Sequence, residues 1–239
     1  MTDNRQLALS VQLPDDETFE SFRSNANQGV ISQLAHFVEK KDRGEPSKPK
    51  SFYLFGLPGV GKSHLLHASS AYAAQLDKTS VCLSCAELKE LPVDVLEGLE
   101  QIDLICLDDI HLIANNKLWQ QAIFDLYNRV IEQNNCLLIS GEQSARQLGL
   151  SLPDLVSRLT WGLTEQVKPL DDAEKVLVLQ YRASQRGLTL SDDAAKFLLN
   201  RLSREMAYLL NSLDTLDKAS IREQRKITIP FIKEVLKLT

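Results

Sequence analysis

Phe52-Tyr53-Leu54-Phe55-Gly56-Leu57-Pro58-Gly59-Val60-Gly61-Lys62-Ser63 is the stretch of this 239-residue chain that decides its fold. A short apolar run, the length of a buried strand, leads straight into Gly-x-x-x-x-Gly-Lys-Ser, and a helical pattern over residues 64–76 follows. Strand, glycine-rich loop and helix in that order are the context a phosphate loop requires. The glycines permit a tight turn whose backbone N–H groups face phosphate oxygens, and the amino end of the next helix adds a favourable field. Nucleotide binding is therefore expected along Gly56, Leu57, Pro58, Gly59, Val60, Gly61, Lys62, Ser63 and His64. Lys62 is placed to reach the β and γ phosphates, and Ser63 to hold Mg2+.

Working outward, short apolar runs alternate with helical periods. Strands are predicted over residues 51–55, 80–84, 104–107, 136–140 and 163–167, and helices over 25–41, 64–76 and 117–133. In the last of these Trp119, Ile123, Leu126, Tyr127 and Val130 share one face. Strands alternating with helices imply crossover units and a mainly parallel sheet covered on both faces, an α/β class. After Pro169 the pattern turns wholly helical, with helices predicted over 172–186, 191–202, 204–222 and 230–238. Ser191 followed by Asp192 and Asp193 reads as a helix start. The expected organisation is an amino-terminal segment (1–17), a three-layer nucleotide-binding domain (18–168) and a small all-helical lid (169–239).

A second buried run, Leu104-Ile105-Cys106-Leu107, ends in Asp108-Asp109. Asp108 is placed to hold Mg2+, directly or through water, and Asp109 to position an attacking water. Ser140 ends the next run; its hydroxyl either senses the γ phosphate or caps the strand. His64 and His67 read as packing or supporting residues rather than metal ligands, and His111 as support for the acid pair.

Composition excludes several classes. With 44% hydrophobic and 25% charged residues the chain can bury a core and is not a disordered protein. Its 27 basic against 32 acidic side chains give a net charge of −5, unlike a protein that coats nucleic acid by charge. No run approaches the roughly 18 apolar residues of a membrane span, and residues 1–12 lack a secretory pattern. A cytoplasmic location without membrane contact is the expectation. Cys82, Cys85, Cys106 and Cys136 sit in or beside apolar runs and read as reduced core residues; Cys82 and Cys85 have ligand spacing but no second pair to complete a zinc site. The run over residues 39–50 mixes lysines with acids and reads as a solvated loop, a polyanion patch being the alternative. Leu7, Leu9 and Val11 would share one side of an extended segment, either an edge strand or a peptide ligand.

Taken together, these motifs resemble the AAA+ ATPase class, and within it the initiator clade that contains DnaA. Thr18-Phe19-Glu20-Ser21-Phe22 resembles the clade's lead-in segment, and the phosphate loop, Asp108-Asp109, Ser140 and Leu155-Val156-Ser157-Arg158-Leu159 resemble its successive motifs. The likeness spans residues 15–239, without the double-stranded-DNA reader that the initiator carries at its carboxyl end. It is nearer still to the Hda family of DnaA-homologous regulators. That resemblance implies a clamp-binding peptide at Gln6, Leu7, Leu9 and Val11, with the Gln6 amide hydrogen bonding and the leucines entering apolar recesses of the polymerase III sliding clamp. It implies that Arg158 is an arginine finger donated to ATP on DnaA. It further implies ADP as the bound nucleotide (ATP being the alternative), a nucleoid or replisome location, and indirect or weak DNA contact; self-association stays open. One position departs from the family pattern: Ala207 stands where a second sensor arginine is usual, and Arg204 lies one helical turn earlier. That places autonomous ATP turnover in doubt. The competing function is a DNA- or helicase-loading ATPase driven by its own turnover; a pure clamp scaffold is the third.

Overall fold

The computed structural model describes residues 17–39 and 50–238. The peptide with Gln6, Leu7, Leu9 and Val11 lies outside the described residues, as does nearly all of the expected loop over 39–50. In chain order the described residues form α1 (Gln28–Glu39), β1 (Ser51–Phe55), α2 (Lys62–Gln75), β2 (Ser80–Ser84), the single turn α3 (Cys85–Leu88), β3 (Leu104–Asp108), α4 (Lys117–Glu132), β4 (Cys136–Gly141), α5 (Pro153–Trp161) and β5 (Leu163–Gln166). The helices α6 (Asp172–Gln185), α7 (Asp192–Arg201), α8 (Met206–Glu223) and α9 (Ile229–Val235) follow.

All five strands are parallel, in the order β2-β3-β4-β1-β5. The central strands β1, β3 and β4 are buried almost throughout, which is why they read as unbroken apolar runs. Alternation sends Phe52 and Leu54 to one face and Tyr53 to the other. On the first face they meet Leu34 and Phe37 of α1 and Leu65 and Leu66 of α2. On the second, Tyr53, Ile105 and Ile139 meet Ile123, Leu126 and Val130 of α4 and Leu155 and Leu159 of α5. Each such fully buried leucine or isoleucine contributes about 1.5–3 kcal/mol of transfer free energy. A third core, built from Leu179, Leu198, Leu213 and Phe231, belongs to α6–α9 alone. The chain leaves β1 for the β2 edge and later crosses to β5 on the other side of β1. The order of connection through the sheet, not the strand direction, reverses there, and such a switch point leaves a crevice at the carboxyl ends of the strands.

Side chains set several boundaries. Asn116 caps α4, Asp171 and Glu174 form a capping box at α6, and Ser191 accepts from the Ala194 N–H at α7. The first helix begins at Gln28 rather than residue 25 because the Asn25 N–H donates to the Glu174 carboxylate at 2.7 Å. Asn27 then ties this turn to the backbone of Lys168 through both of its amide atoms, at 2.9 and 2.8 Å. The α8 helix starts at Met206, two residues later than its period suggests, with Glu205 outside it. None of the four cysteines is in a disulfide; Cys85 and Cys106 are buried, Cys82 and Cys136 half-buried. Among the described residues no helix is long and apolar enough to cross a membrane.

Candidate functional site

A cleft of about 320 Å³ opens where the phosphate loop, the lead-in segment and the lid helices meet. Pro58 to His64 form its floor. Gly59 and Gly61 have φ of 75° and 96°, where L side chains are strained. A Cβ on Gly61 would also lie 2.5 Å from the Phe22 ring, so the lead-in segment packs directly on the loop. Gly56 does not line the cleft; it lies under the loop, where a Cβ would come 2.6 Å from the Val167 carbonyl. The Leu57 side chain is exposed, not in the wall. Lys62 is buried, and its Nζ donates to the Gly56 and Leu57 carbonyls at 2.9 and 3.2 Å. The ammonium is thus held within the loop itself.

Two histidines on α2 hook the lead-in segment onto this floor. His64 Nε2 lies 2.9 Å from the Thr18 carbonyl and 3.0 Å from Ser21 Oγ, with its ring edge-on to Phe22. Burial pushes its pKa down, so a neutral ring is favoured. His67 Nδ1 lies 2.5 Å from Glu17 Oε2, and that hydrogen bond raises the His67 pKa.

The acid pair sits at the end of β3. Asp109 lines the cleft with φ of 58°, a left-handed conformation that aspartate tolerates better than most residues. Ser140 is fully buried behind the pair rather than in the cleft wall. Its hydroxyl donates to Asp108 Oδ1 and accepts the Asp109 N–H at 2.8 Å. Through these two contacts Ser140 brackets the acid pair. Burial, and then repulsion from Asp108, raise the Asp109 pKa, with Lys62 and His111 acting against them. His111 Nε2 reaches Glu142 Oε1 at 3.2 Å, and Nδ1 lies 3.8 Å from Asp109, so His111 does stand beside the pair.

The lid forms the remaining wall. Met206, Ala207 and Leu210 of α8 and Val178 and Arg182 of α6 face the cleft. Arg204 does not: it lies exposed just before α8, 3.2 Å from Asp172. The cations that the sequence reading missed are Arg23, stacked 4.3 Å from the Tyr181 ring centroid, and Arg182, only 5% exposed. Arg182 carried a detectable signal, since Glu174, Val178 and Arg182 recur every fourth residue along a buried face of α6. Burial, with Arg186 nearby, lowers the Arg182 pKa.

Arg158 stands outside this cleft, half-buried on the flank of α5. Its guanidinium carbon lies 5.8 Å from the Tyr127 ring centroid and 5.4 Å from that of Trp161. Among the described residues it makes no hydrogen bond and no ion pair.

A five-stranded parallel sheet with the phosphate loop after β1, an acid pair after β3 and a helical lid over the loop defines an AAA+ protein. Residues 13–166 match the family of bacterial DnaA ATPase domains, and residues 172–236 match the lid domain of Hda. The chain belongs to the bacterial DnaA ATPase-domain family and is an Hda-like, DnaA-homologous AAA+ protein. Among solved structures it is similar to domain III of the Thermotoga maritima replication initiation protein DnaA, with TM-score 0.80 and 18% identity over 95% of this chain and 98% of that one. AMPPCP-bound DnaA from Aquifex aeolicus aligns with TM-score 0.68 and 19% identity over 89% and 71%. The Thermotoga maritima RuvB Holliday junction branch migration motor aligns with TM-score 0.70 and 18% identity over 95% and 72%. At such identities the likeness is one of fold.

Proposed function

We propose that this protein is a negative regulator of chromosomal replication initiation: in its ADP-bound form it docks on the DNA-loaded sliding clamp and stimulates hydrolysis of the ATP held by DnaA. The observation that carries the reading is Arg158, a guanidinium outside the chain's own cleft, steadied by two aromatic rings, with its N–H donors unused. Such a group suits a phosphate on another molecule, where it would stabilise charge developing in phosphoryl transfer. Clamp docking would fall to Gln6, Leu7, Leu9 and Val11.

A nucleoside diphosphate suits this cleft. Glycines at positive φ leave room for the phosphates against the loop backbone, Lys62 supplies a buried cation, and Phe22, Val178, Met206 and Leu210 offer apolar walls for a nucleoside. Ser63 and Asp108 would hold Mg2+, whose usual set is one or two side-chain oxygens completed by phosphates and water. Bound there, the ion supplies positive charge against the phosphates and the repelling acid pair. Ser140 fixes the direction of Asp108, and Asp109 points into the cleft.

Own turnover is expected to be slow, because α8 presents Ala207, Met206 and Leu210 to the cleft where the family pattern has a sensor arginine, and Arg204 lies outside the cleft beside Asp172; the lid cation that faces the cleft is Arg182, on α6. ADP would then act as a structural ligand that ties lid to loop. Titration with labelled ADP and ATP, followed by measurement of phosphate release, checks this: tight ADP binding and negligible steady release are expected. Clear ATP preference with steady turnover would contradict it and favour a loading ATPase, a role for which the intact Asp108-Asp109 pair would serve.

A further inference from the structure

The outer end of α5 carries a second feature that the finger role does not use. Trp161 is 73% exposed, an unusual cost for the largest side chain, while the only other tryptophan, Trp119, is 2% exposed. Trp161 follows Arg158 by three residues, so the two are neighbours on the helix surface. Leu155 and Leu159 face the core, leaving Arg158 half-buried on the flank of the helix and Trp161 on its exposed side.

The position of this pair is built rather than incidental. Tyr127 of α4, itself 2% exposed, hydrogen bonds through its hydroxyl to Ser51 Oγ at 2.7 Å. Ser51 packs so tightly against Gly162 that a Cβ there would lie 2.1 Å from Ser51 Oγ and 2.4 Å from the Ser51 carbonyl. Glycine directly after Trp161 therefore lets α5 end against β1 and α4, with the Arg158 guanidinium between a buried ring and an exposed one. A cation held over ring faces keeps its hydrogen-bonding edge free.

We infer that Trp161 is an interface anchor: its exposed ring packs onto the ATP-bearing phosphate-loop domain of DnaA and, through its contact with Arg158, aims the guanidinium at that domain's phosphates. The inference rests on the reading of Arg158 as a donor in trans. Continuity with that donor selects the occupant, since any surface close enough to receive the Arg158 guanidinium covers the ring three residues away. Tryptophan and arginine side by side, one burying area and one donating to an anion, are the residue types that dominate interface energetics.

The test compares Trp161→Ala, Trp161→Phe and Arg158→Ala in the complete system of DNA-loaded clamp, ADP-form protein and ATP-bound DnaA. ADP binding and the melting temperature confirm that each variant is folded. Trp161→Ala is expected to lower stimulation by roughly tenfold or more, both by raising the concentration needed for half-maximal effect and by reducing the maximal rate, whereas Trp161→Phe recovers part of both. Emission from Trp161, taken as the difference between the unaltered protein and Trp161→Phe, is expected to move to shorter wavelength when ATP-bound DnaA is added. Unchanged stimulation by Trp161→Ala while Arg158→Ala abolishes it overturns the anchor and leaves the finger standing. Stimulation retained by Arg158→Ala overturns the finger reading itself. An emission shift that follows the protein's own concentration and ignores DnaA makes a second copy of the chain the occupant and overturns the anchor as stated.

Discussion

Arg158→Ala is expected to abolish the stimulation of DnaA ATP hydrolysis, a loss of roughly 10³- to 10⁵-fold where a finger is the missing element. The direction follows from what the guanidinium does in the isolated chain. It makes no hydrogen bond and no ion pair among the described residues, so its removal leaves no buried partner unsatisfied. Stability should change little, with only the ring contacts to Tyr127 and Trp161 lost, worth about 0.5–1 kcal/mol each at a partly exposed site. Arg158→Lys discriminates further. A lysine keeps the charge but not the planar fork that can bridge phosphate oxygens, so weak rescue at best is expected. Measurement of phosphate release from DnaA, beside a thermal melt of each variant, separates a chemical loss from a structural one.

Lys62→Ala is expected to weaken ADP binding by roughly 10- to 150-fold, the equivalent of one charge-assisted hydrogen bond of about 1.5–3 kcal/mol. Lys62 is the cation within the phosphate loop, and only its reach from the Gly56 and Leu57 carbonyls to a phosphate is required. The clearest readout is thermal. At an ADP concentration about 100 times the dissociation constant, linkage stabilises the unaltered protein by about 2.7 kcal/mol, a rise of roughly 5–10 °C for a chain of this size. With binding about 100-fold weaker, the same ADP contributes only about 0.4 kcal/mol, and the rise shrinks to about 1 °C. An undiminished ADP shift in Lys62→Ala would place the nucleotide somewhere other than this cleft.

Much of this architecture was legible because burial and sequence pattern coincide. Phe52 to Phe55, Leu104 to Leu107 and Cys136 to Ser140 are buried on both faces, so unbroken apolar runs marked the three central strands. The edge strand β5 was harder, since Leu163-Thr164-Glu165-Gln166 alternates half-buried with exposed, yet the period still found it. Helix α5 was not marked out as a helix: nine residues are too few for a strong period, and its start signal, Pro153 in the first turn, stood alone.

At the site, local motifs transferred and long-range geometry did not. Phosphate-loop residues 58–64 line one cleft because they are contiguous, and Asp109 joins them from the end of β3, which β4 separates from β1. Ser140 was read as either a sensor or a cap, and only tertiary packing shows its hydroxyl shared between Asp108 and the Asp109 N–H. Arg204 is the lid cation nearest in sequence to the family's sensor position, but the late start of α8 leaves it beside Asp172. Arg23 and Arg182 face the cleft from segments far apart in the chain, and that juxtaposition exists only once α6 is folded over the lead-in segment. The exposure of Trp161 is likewise not legible in the sequence, since tryptophan is highly buried on average and its surface position follows only from how α5 packs.

The measurement that bears most directly on the regulatory role is hydrolysis of radiolabelled ATP prebound to DnaA, with DNA-loaded clamp present and this protein added in its ADP form. Rapid conversion to ADP that requires the clamp, the Gln6 to Val11 peptide and Arg158 is the predicted result. Hydrolysis no faster than that of DnaA alone would contradict it.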